Sequence, residues 1–134
     1  MRMKIEELPG GITLINDAYN ANPESMSSAL RWLQRQDQSN LYIVLGDMLE
    51  LGDLSINLHE KILYEVFELF AGAVIVFIGE HFRKSAGEFE DKNIYFFDNV
   101  CAADAIFSLK KIKNATVFLK GSRGMRLEKI RGML

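Results

Sequence analysis

The segment ITLINDAYNANPESM, residues 12–26, combines a short apolar run, a polar loop and a helix start. Ile12, Leu14 and Ile15 provide the apolar run, which is typical of a buried strand. At the other end, the Asn22 side chain can cap a helix, and Pro23 suits the first helical turn because that position needs no N–H. The segment therefore predicts a strand, a loop and a helix in immediate succession.

The loop between this strand and helix contains Asp17, Tyr19, Asn20 and Asn22. In open α/β sheets, ligands bind beyond the carboxyl ends of the strands, so these side chains lie where a binding site is expected. The same residue types also build turns and cap helices without binding anything. Local chemistry alone leaves both interpretations open.

Working outward from this segment, buried strands alternate with amphipathic helices. Before it, residues 3–8 and the Pro9-Gly10-Gly11 turn predict an antiparallel hairpin. After it, we expect helices at about 23–36, 55–71, 81–89, 102–112 and 125–133, and strands at 41–45, 73–78, 94–97 and 116–119. The pattern predicts an α/β fold: a mostly parallel sheet with right-handed crossovers, helices on both faces and one antiparallel edge strand from the hairpin.

Two helices carry clear apolar stripes that should face the core. The first stripe contains Met26, Ala29, Leu30 and Leu33. For the helix at 55–71, the residues expected to face inward are Leu58, Ile62, Leu63, Val66, Phe67 and Phe70. His59 is expected on the helix surface or in a local hydrogen bond, since the second histidine of a zinc-protease motif is missing.

Length and composition limit the possible functions. The 134 residues correspond to one domain, 1–134, and the net charge of −2 offers no field that would recruit nucleic acid. No apolar run is long enough to span a bilayer, and the single cysteine, Cys101, excludes an internal disulfide. We expect a cytoplasmic protein that binds neither nucleic acid nor membrane.

A second polar loop, Lys120-Gly121-Ser122-Arg123, follows the last predicted strand. A lysine, a hydroxyl group and an arginine on a glycine loop can hold a phosphate or a carboxylate, although a solvated loop would look the same. The chain has no phosphate-binding P-loop of its own. Its nearest match, residues 79–85, has Arg83 where the motif requires glycine before the lysine.

Three motifs taken together are specific: INDAYNANPESM at 15–26, LGDMLELG at 45–52 followed by His59, and LKGSR at 119–123. In this order, each at a predicted strand end, they resemble the C-terminal domain of the Mur ligases, in particular the D-alanyl-D-alanine-adding ligases (MurF). The resemblance covers essentially the whole chain and implies a Rossmann-like domain with one antiparallel strand.

The resemblance also implies a reaction. The family's enzymes use ATP and Mg²⁺, held mainly by a central domain, to join D-Ala-D-Ala to UDP-MurNAc-tripeptide in peptidoglycan precursor synthesis. This chain corresponds to neither the central nor the N-terminal domain of such an enzyme. We therefore expect a monomeric domain that closes over ATP and the dipeptide against the central domain, has no catalytic or metal-binding residue of its own, and is inactive alone.

The resemblance assigns particular residues to this closure. Asp17 matches the acidic residue that binds the ATP ribose, and its replacement by alanine is expected to weaken ATP use while leaving the fold intact. The residues expected to bind the nucleotide are Arg2, Asp17, Tyr19 and Asn22. Those expected to face the D-Ala-D-Ala carboxylate and the reacting centre are Lys120, Ser122 and Arg123. No role toward a ligand is assigned to Asp47, Glu50 or His59; we expect Asp47 and Glu50 simply to shape their loop.

Two other functions remain open. A freestanding Rossmann-like module could bind a nucleotide or an anion without catalysis, which a measurable ATP affinity of the isolated chain would reveal. A receiver-like or protein-interaction domain would need adjacent acidic residues after the first buried strand, and Asn16-Asp17 supplies one.

Overall fold

The computed structural model describes residues 3–36 and 40–134; within the second range, only the backbone is described for residues 108–110. The strands are β1 (Lys4–Leu8), β2 (Ile12–Asp17), β3 (Leu41–Gly46), β4 (Val74–Ile78), β5 (Ile94–Phe97) and β6 (Ala115–Lys120). The α-helices are α1 (Pro23–Gln34), α2 (Ser55–Leu69), α3 (Glu80–Ala86) and α4 (Asp104–Lys110). The predicted alternation of strands and helices is confirmed.

The six strands form one sheet in the order β1-β2-β6-β3-β4-β5. Only β1 runs antiparallel, to β2, and the other four pairings are parallel. The predicted antiparallel edge strand is therefore confirmed. Strand β6, the last in sequence, lies between β2 and β3, so the loops after β2, β6 and β3 are neighbours at one edge of the sheet.

The helices cover both faces of the sheet, which produces two apolar cores. Helices α1, α2 and α3 pack on one face, where Met26, Leu30 and Leu33 of the predicted α1 stripe are fully buried. Helix α4 and the 3₁₀ segments around it pack on the other face, where Phe107, Leu127 and Ile130 are buried. Among the described residues, no helix is long and apolar enough to cross a membrane.

The structure corrects two details. Phe67 of α2 does not face the core: it is 37% exposed and packs edge-on against Phe89 of the α3–β5 connection. The predicted terminal α-helix is instead a pair of 3₁₀ helices, Arg123–Met125 and Leu127–Met133. Arg126 lies between them with a φ of 55°, a left-handed conformation that interrupts a continuous helix.

Candidate functional site

The candidate site lies at the edge of the sheet that is formed by the carboxyl ends of the parallel strands, which we call the strand-end edge. The loops after β2 and β6 meet there because Asp17 and Lys120 are neighbours in the β2–β6 register. The loops after β3 and β6 also meet, and Gly121 makes this possible. A Cβ atom at Gly121 would lie 2.8 Å from the Gly46 Cα atom, so a side chain would push the two strand ends apart.

Asp17 and Lys120 form a buried ion pair. The Lys120 Nζ atom donates to Asp17 Oδ2 at 2.6 Å and to the Asn20 carbonyl oxygen at 3.3 Å, and both charged residues are at most 5% exposed. The register that places these residues side by side puts both side chains on the face covered by α1. The charged group of Lys120 therefore binds partners within the domain and holds the β2–α1 loop against β6.

Asn22 is the N-cap of α1. Its Oδ1 atom accepts the Ser25 N–H at 2.9 Å, and its own N–H donates to the Ser25 hydroxyl at 3.1 Å. This reciprocal pair is a capping box, in which two backbone donors at the helix start find partners. The predicted helix start is confirmed, and the cap engages the Asn22 side-chain oxygen.

Tyr19 and Arg123 form the outer part of the same edge. The Arg123 guanidinium carbon lies 5.3 Å from the centre of the Tyr19 ring, so the two loops that follow β2 and β6 also meet through a cation–π contact. Tyr19 is 43% exposed, and Arg123 is also exposed. We call these two residues the outer pair; they present an aromatic ring and a cation to solvent.

Asp47 caps the start of α3 from a different strand. Its two carboxylate oxygens accept the backbone N–H groups of His81 and Phe82, each at 2.9 Å. Gly79 permits this approach because a Cβ there would lie 2.2 Å from the Asp47 Cγ atom, and its φ of 124° also disfavours a side chain. Asp47 therefore has a structural role, and its carboxylate caps α3 rather than bonding within its own loop.

Ser122 joins the β6 loop to the loop after β3. Its hydroxyl oxygen accepts the Leu49 N–H at 2.9 Å, and its own N–H donates to the Asp47 carbonyl oxygen at 3.1 Å. Ser122 is buried, like Asp17, Lys120 and Asp47. We call these four residues the inner layer, because each of them bonds to another part of the domain rather than facing solvent.

His59 is fully buried beneath the β3 loop, so its expected place on the helix surface is wrong, whereas the expected local hydrogen bond is present. Its Nδ1 atom lies 2.7 Å from the Ser55 carbonyl oxygen and must donate to it, so Nε2 accepts the Met48 N–H at 3.0 Å. Burial is the main cause that lowers the pKa of His59 below its usual value, partly opposed by the Ser55 hydrogen bond and the nearby Asp47 carboxylate.

The structure brings together Asp17 with Lys120 and Tyr19 with Arg123, whereas Ser122 bonds to the β3 loop and Asn22 to its own helix. Arg2 lies outside the described residues. The sequence reasoning allowed His59 a place on the helix surface because nothing in the side-chain pattern shows that the β3 loop folds over α2; the contact with the Met48 N–H, 11 residues away in sequence, appears only in the structure. The roles toward ligands implied by the resemblance stay predictions.

A metal ion bound by the described residues would need ligating side chains that lie close together. Within residues 3–36 and 40–134, no group of three or more histidine, cysteine, aspartate or glutamate side chains is placed to hold a metal ion. Asp47 could not contribute freely, since both of its oxygens already accept α3 N–H groups. No step involving Mg²⁺ can therefore be derived from this chain.

Comparison with protein families gives a match over residues 1–123 to the family described as Mur ligase, glutamate ligase domain. A UDP-N-acetylmuramoyl-tripeptide–D-alanyl-D-alanine ligase of Bacillus subtilis is 33% identical over 97% of the chain. The chain corresponds to 29% of the length of that relative.

Solved structures give the same result. The chain superposes on MurF of Acinetobacter baumannii with a TM-score of 0.80 and 27% identity, covering 98% of this chain and 29% of that one. It also superposes on MurF ligase of Thermotoga maritima in complex with ADP, with a TM-score of 0.74 over 98% of this chain and 30% of that one. The sequence identity to this second structure is 24%, so the superposition supports the fold alone.

Proposed function

Because this chain belongs to the Mur ligase C-terminal domain family, we propose that it is the C-terminal domain of the ligase that adds D-Ala-D-Ala to UDP-MurNAc-tripeptide. The observation that carries the proposal is the 33% identity to the Bacillus subtilis ligase of that name over 97% of the chain. In this proposal, N-terminal and central domains complete the enzyme, the reaction takes place in the cytoplasm, and the 134 residues alone are a monomeric, inactive domain.

We assign ATP as the energy source and the central domain as its main binding site. ATP would phosphorylate the tripeptide carboxylate, and the amine of D-Ala-D-Ala would attack the acyl phosphate. The contribution of this chain is to close its strand-end edge over these reactants, which excludes water from the acyl phosphate. The contacts among Asp17, Lys120, Asp47 and Ser122 support this role, because a surface held by buried bonds can close as one rigid piece.

Within this edge, the outer pair is best suited to touch a ligand. Arg123 is exposed and can bind a carboxylate or phosphate through two parallel hydrogen bonds, and the Tyr19 ring supports the guanidinium from one side. We therefore assign the D-Ala-D-Ala carboxylate to Arg123. Lys120, whose charge faces Asp17, and Ser122 support the loop that presents it.

We keep Asp17 in the nucleotide site with a specified atom. The Lys120 bond engages Oδ2, so Oδ1 is the acceptor that we assign to a ribose hydroxyl. The ion pair also changes the expected phenotype of Asp17→Ala. Removing the carboxylate would leave a buried lysine without its counter-charge, so an intact fold is no longer expected for that variant.

The test is a phosphate-release assay on the complete parent enzyme with ATP, Mg²⁺, UDP-MurNAc-tripeptide and D-Ala-D-Ala. We expect release that depends on the dipeptide. Arg123→Ala should lower kcat/KM for D-Ala-D-Ala by about tenfold or more, because the charge-assisted hydrogen bonds to the dipeptide carboxylate are lost. Lys129→Ala is the matched control, since it removes an exposed cation from the neighbouring 3₁₀ helix and should change little.

Other outcomes are equally informative. Release that does not need D-Ala-D-Ala would assign a different amine substrate. An absence of release, combined with ATP binding by the 134-residue chain alone, would favour the freestanding nucleotide- or anion-binding module. Equal losses in Arg123→Ala and Lys129→Ala would remove Arg123 from the substrate site.

A further inference from the structure

We propose that His59 is a positioning residue, which fixes the loop after β3 through the Met48 N–H and thereby holds the β6 loop that carries Arg123. The inference rests on the proposed function, because there Arg123 contacts the dipeptide. His59 itself is fully buried and does not reach the outer pair. Its effect must therefore pass through the backbone of the two loops.

The first step is the contact of His59 with the β3 loop. The imidazole Nδ1–H bonds to the Ser55 carbonyl oxygen of its own helix at 2.7 Å, which fixes the tautomer. This leaves Nε2 as an acceptor for the Met48 N–H, 3.0 Å away. The Met48 N–H is buried, and leaving it without an acceptor would cost free energy. The bond to His59 therefore fixes the position of the β3 loop relative to the imidazole ring.

The second step connects the two loops. Met48 lies between Asp47, whose carbonyl oxygen accepts the Ser122 N–H, and Leu49, whose N–H donates to the Ser122 hydroxyl. The bonds on either side of Met48 thus both end on Ser122, the residue before Arg123. Fixing Met48 consequently fixes the residue from which the Arg123 backbone continues.

The surroundings of His59 hold the ring in one orientation. The Phe82 ring packs edge-on against it at 4.6 Å between centres, and the His81 ring stacks on it at 5.2 Å. The Asp47 carboxylate lies 3.8 Å from Nε2 but is engaged by the α3 N–H groups. A ring confined on these sides can act as a fixed acceptor for Met48.

Two substitutions separate this role from general packing. The amide oxygen of glutamine can take the place of Nε2, so His59→Gln retains an acceptor for Met48. Asparagine is too short to reach Met48, and its amide takes the place of Nδ1, so His59→Asn retains only the bond to Ser55. Val66→Ala, on the same buried face of α2, serves as a control that weakens the core without touching the loop contacts.

The first readout is amide hydrogen exchange in the 134-residue chain. We expect His59→Asn to accelerate exchange at Leu49 and Ser122 about tenfold relative to the β3 core amides, the effect of losing one buried hydrogen bond. His59→Gln should leave this ratio near that of the unsubstituted chain, and Val66→Ala should not change it. An unchanged ratio in His59→Asn, or equal changes in both His59 variants, would overturn the proposal.

The second readout uses the complete parent enzyme. His59→Asn should raise KM for D-Ala-D-Ala about tenfold while changing KM for ATP less than about twofold, and His59→Gln should restore both. A KM for the dipeptide that rises equally in Val66→Ala would contradict a positioning role. If the parent enzyme lacks dipeptide-dependent activity, the proposed function fails, and the exchange ratio decides the His59 inference by itself.

Discussion

The inner layer and the outer pair occupy the same edge of the sheet but use their polar groups differently. Asp17, Lys120, Asp47 and Ser122 are at most 8% exposed and bond to one another's loops or to α3. Tyr19 and Arg123 contact each other and remain open to solvent. The motifs at strand ends therefore contain two populations: buried residues that build the edge, among which only Asp17 is also assigned a ligand above, and exposed residues that can bind at it.

This difference separates stability from function. Substitutions in the inner layer should lower the free energy of unfolding, because they leave buried polar groups without partners. Substitutions in the outer pair should affect ligand binding and leave stability nearly unchanged. A loss of activity identifies a binding residue only where stability is retained.

The largest effect is expected at the buried ion pair. Lys120→Met should lower the free energy of unfolding by about 3–5 kcal/mol, since it leaves the buried Asp17 carboxylate without a counter-charge. The double variant Asp17→Leu/Lys120→Met should recover most of this loss, because neither position then holds an unpaired buried charge. Urea unfolding of the 134-residue chain measures both. A single variant that costs less than about 1 kcal/mol would place Lys120 outside the inner layer.

A smaller effect is expected where Asp47 caps α3. Gly79→Ala should cost about 2–4 kcal/mol, from backbone strain at positive φ and from displacement of the Asp47 carboxylate. Gly72→Ala is the matched control: Gly72 also has a positive φ, of 90°, but a Cβ there meets no atom within 4 Å. Thermal unfolding should give Gly79→Ala a clearly lower melting temperature than Gly72→Ala. Equal melting temperatures would show that strain alone, without Asp47, determines the cost.

The pH dependence of stability tests the neutral state of His59. Because burial lowers its pKa in the folded chain, the unfolded chain binds the proton first as the pH falls below about 6.5. The contribution of neutral His59 to the free energy of unfolding is therefore fully present above this pH. Below it, the contribution decreases by at most about 1.4 kcal/mol per pH unit. Urea unfolding between pH 5 and 8 should show this decrease in the unsubstituted chain and a weaker one in His59→Gln. If the free energy of unfolding had the same pH dependence in both proteins, a lowered pKa of His59 would be contradicted.

The smallest effect on stability is expected in the outer pair. Arg123→Ala removes one exposed cation–π contact and should change the free energy of unfolding by less than about 1 kcal/mol. The measurement is again urea unfolding of the 134-residue chain. A larger loss would assign Arg123 a structural role and would weaken its assignment to the dipeptide carboxylate.

Local sequence signals predicted much of this fold. The alternation of apolar segments predicted all six strands, and Asn22 and Pro23 placed the start of α1 at its observed position. These features depend on residues close together in the chain, where periodicity and capping act. The two-sided helix packing and the antiparallel edge strand followed from the same pattern.

Contacts between distant segments were not predictable in this way. Asp17 and Lys120 are 103 residues apart, and their pairing depends on β6 lying next to β2. The burial of His59 likewise depends on the β3 loop folding over α2, and the outward position of Phe67 on the contact with Phe89. At Arg126, the left-handed backbone that divides the terminal helix left no signal in the side-chain pattern.

The central place of β6 in the sheet also has a consequence for biosynthesis. As the chain leaves the ribosome, β2 and β3 are made first, but the strand that joins them is made last. Until residues 115–120 emerge, each half of the sheet has an open edge and the two apolar cores are incomplete. Completion of this sheet must therefore wait until residues 115–120 have been made, and the nascent chain exposes unpaired strand edges until then.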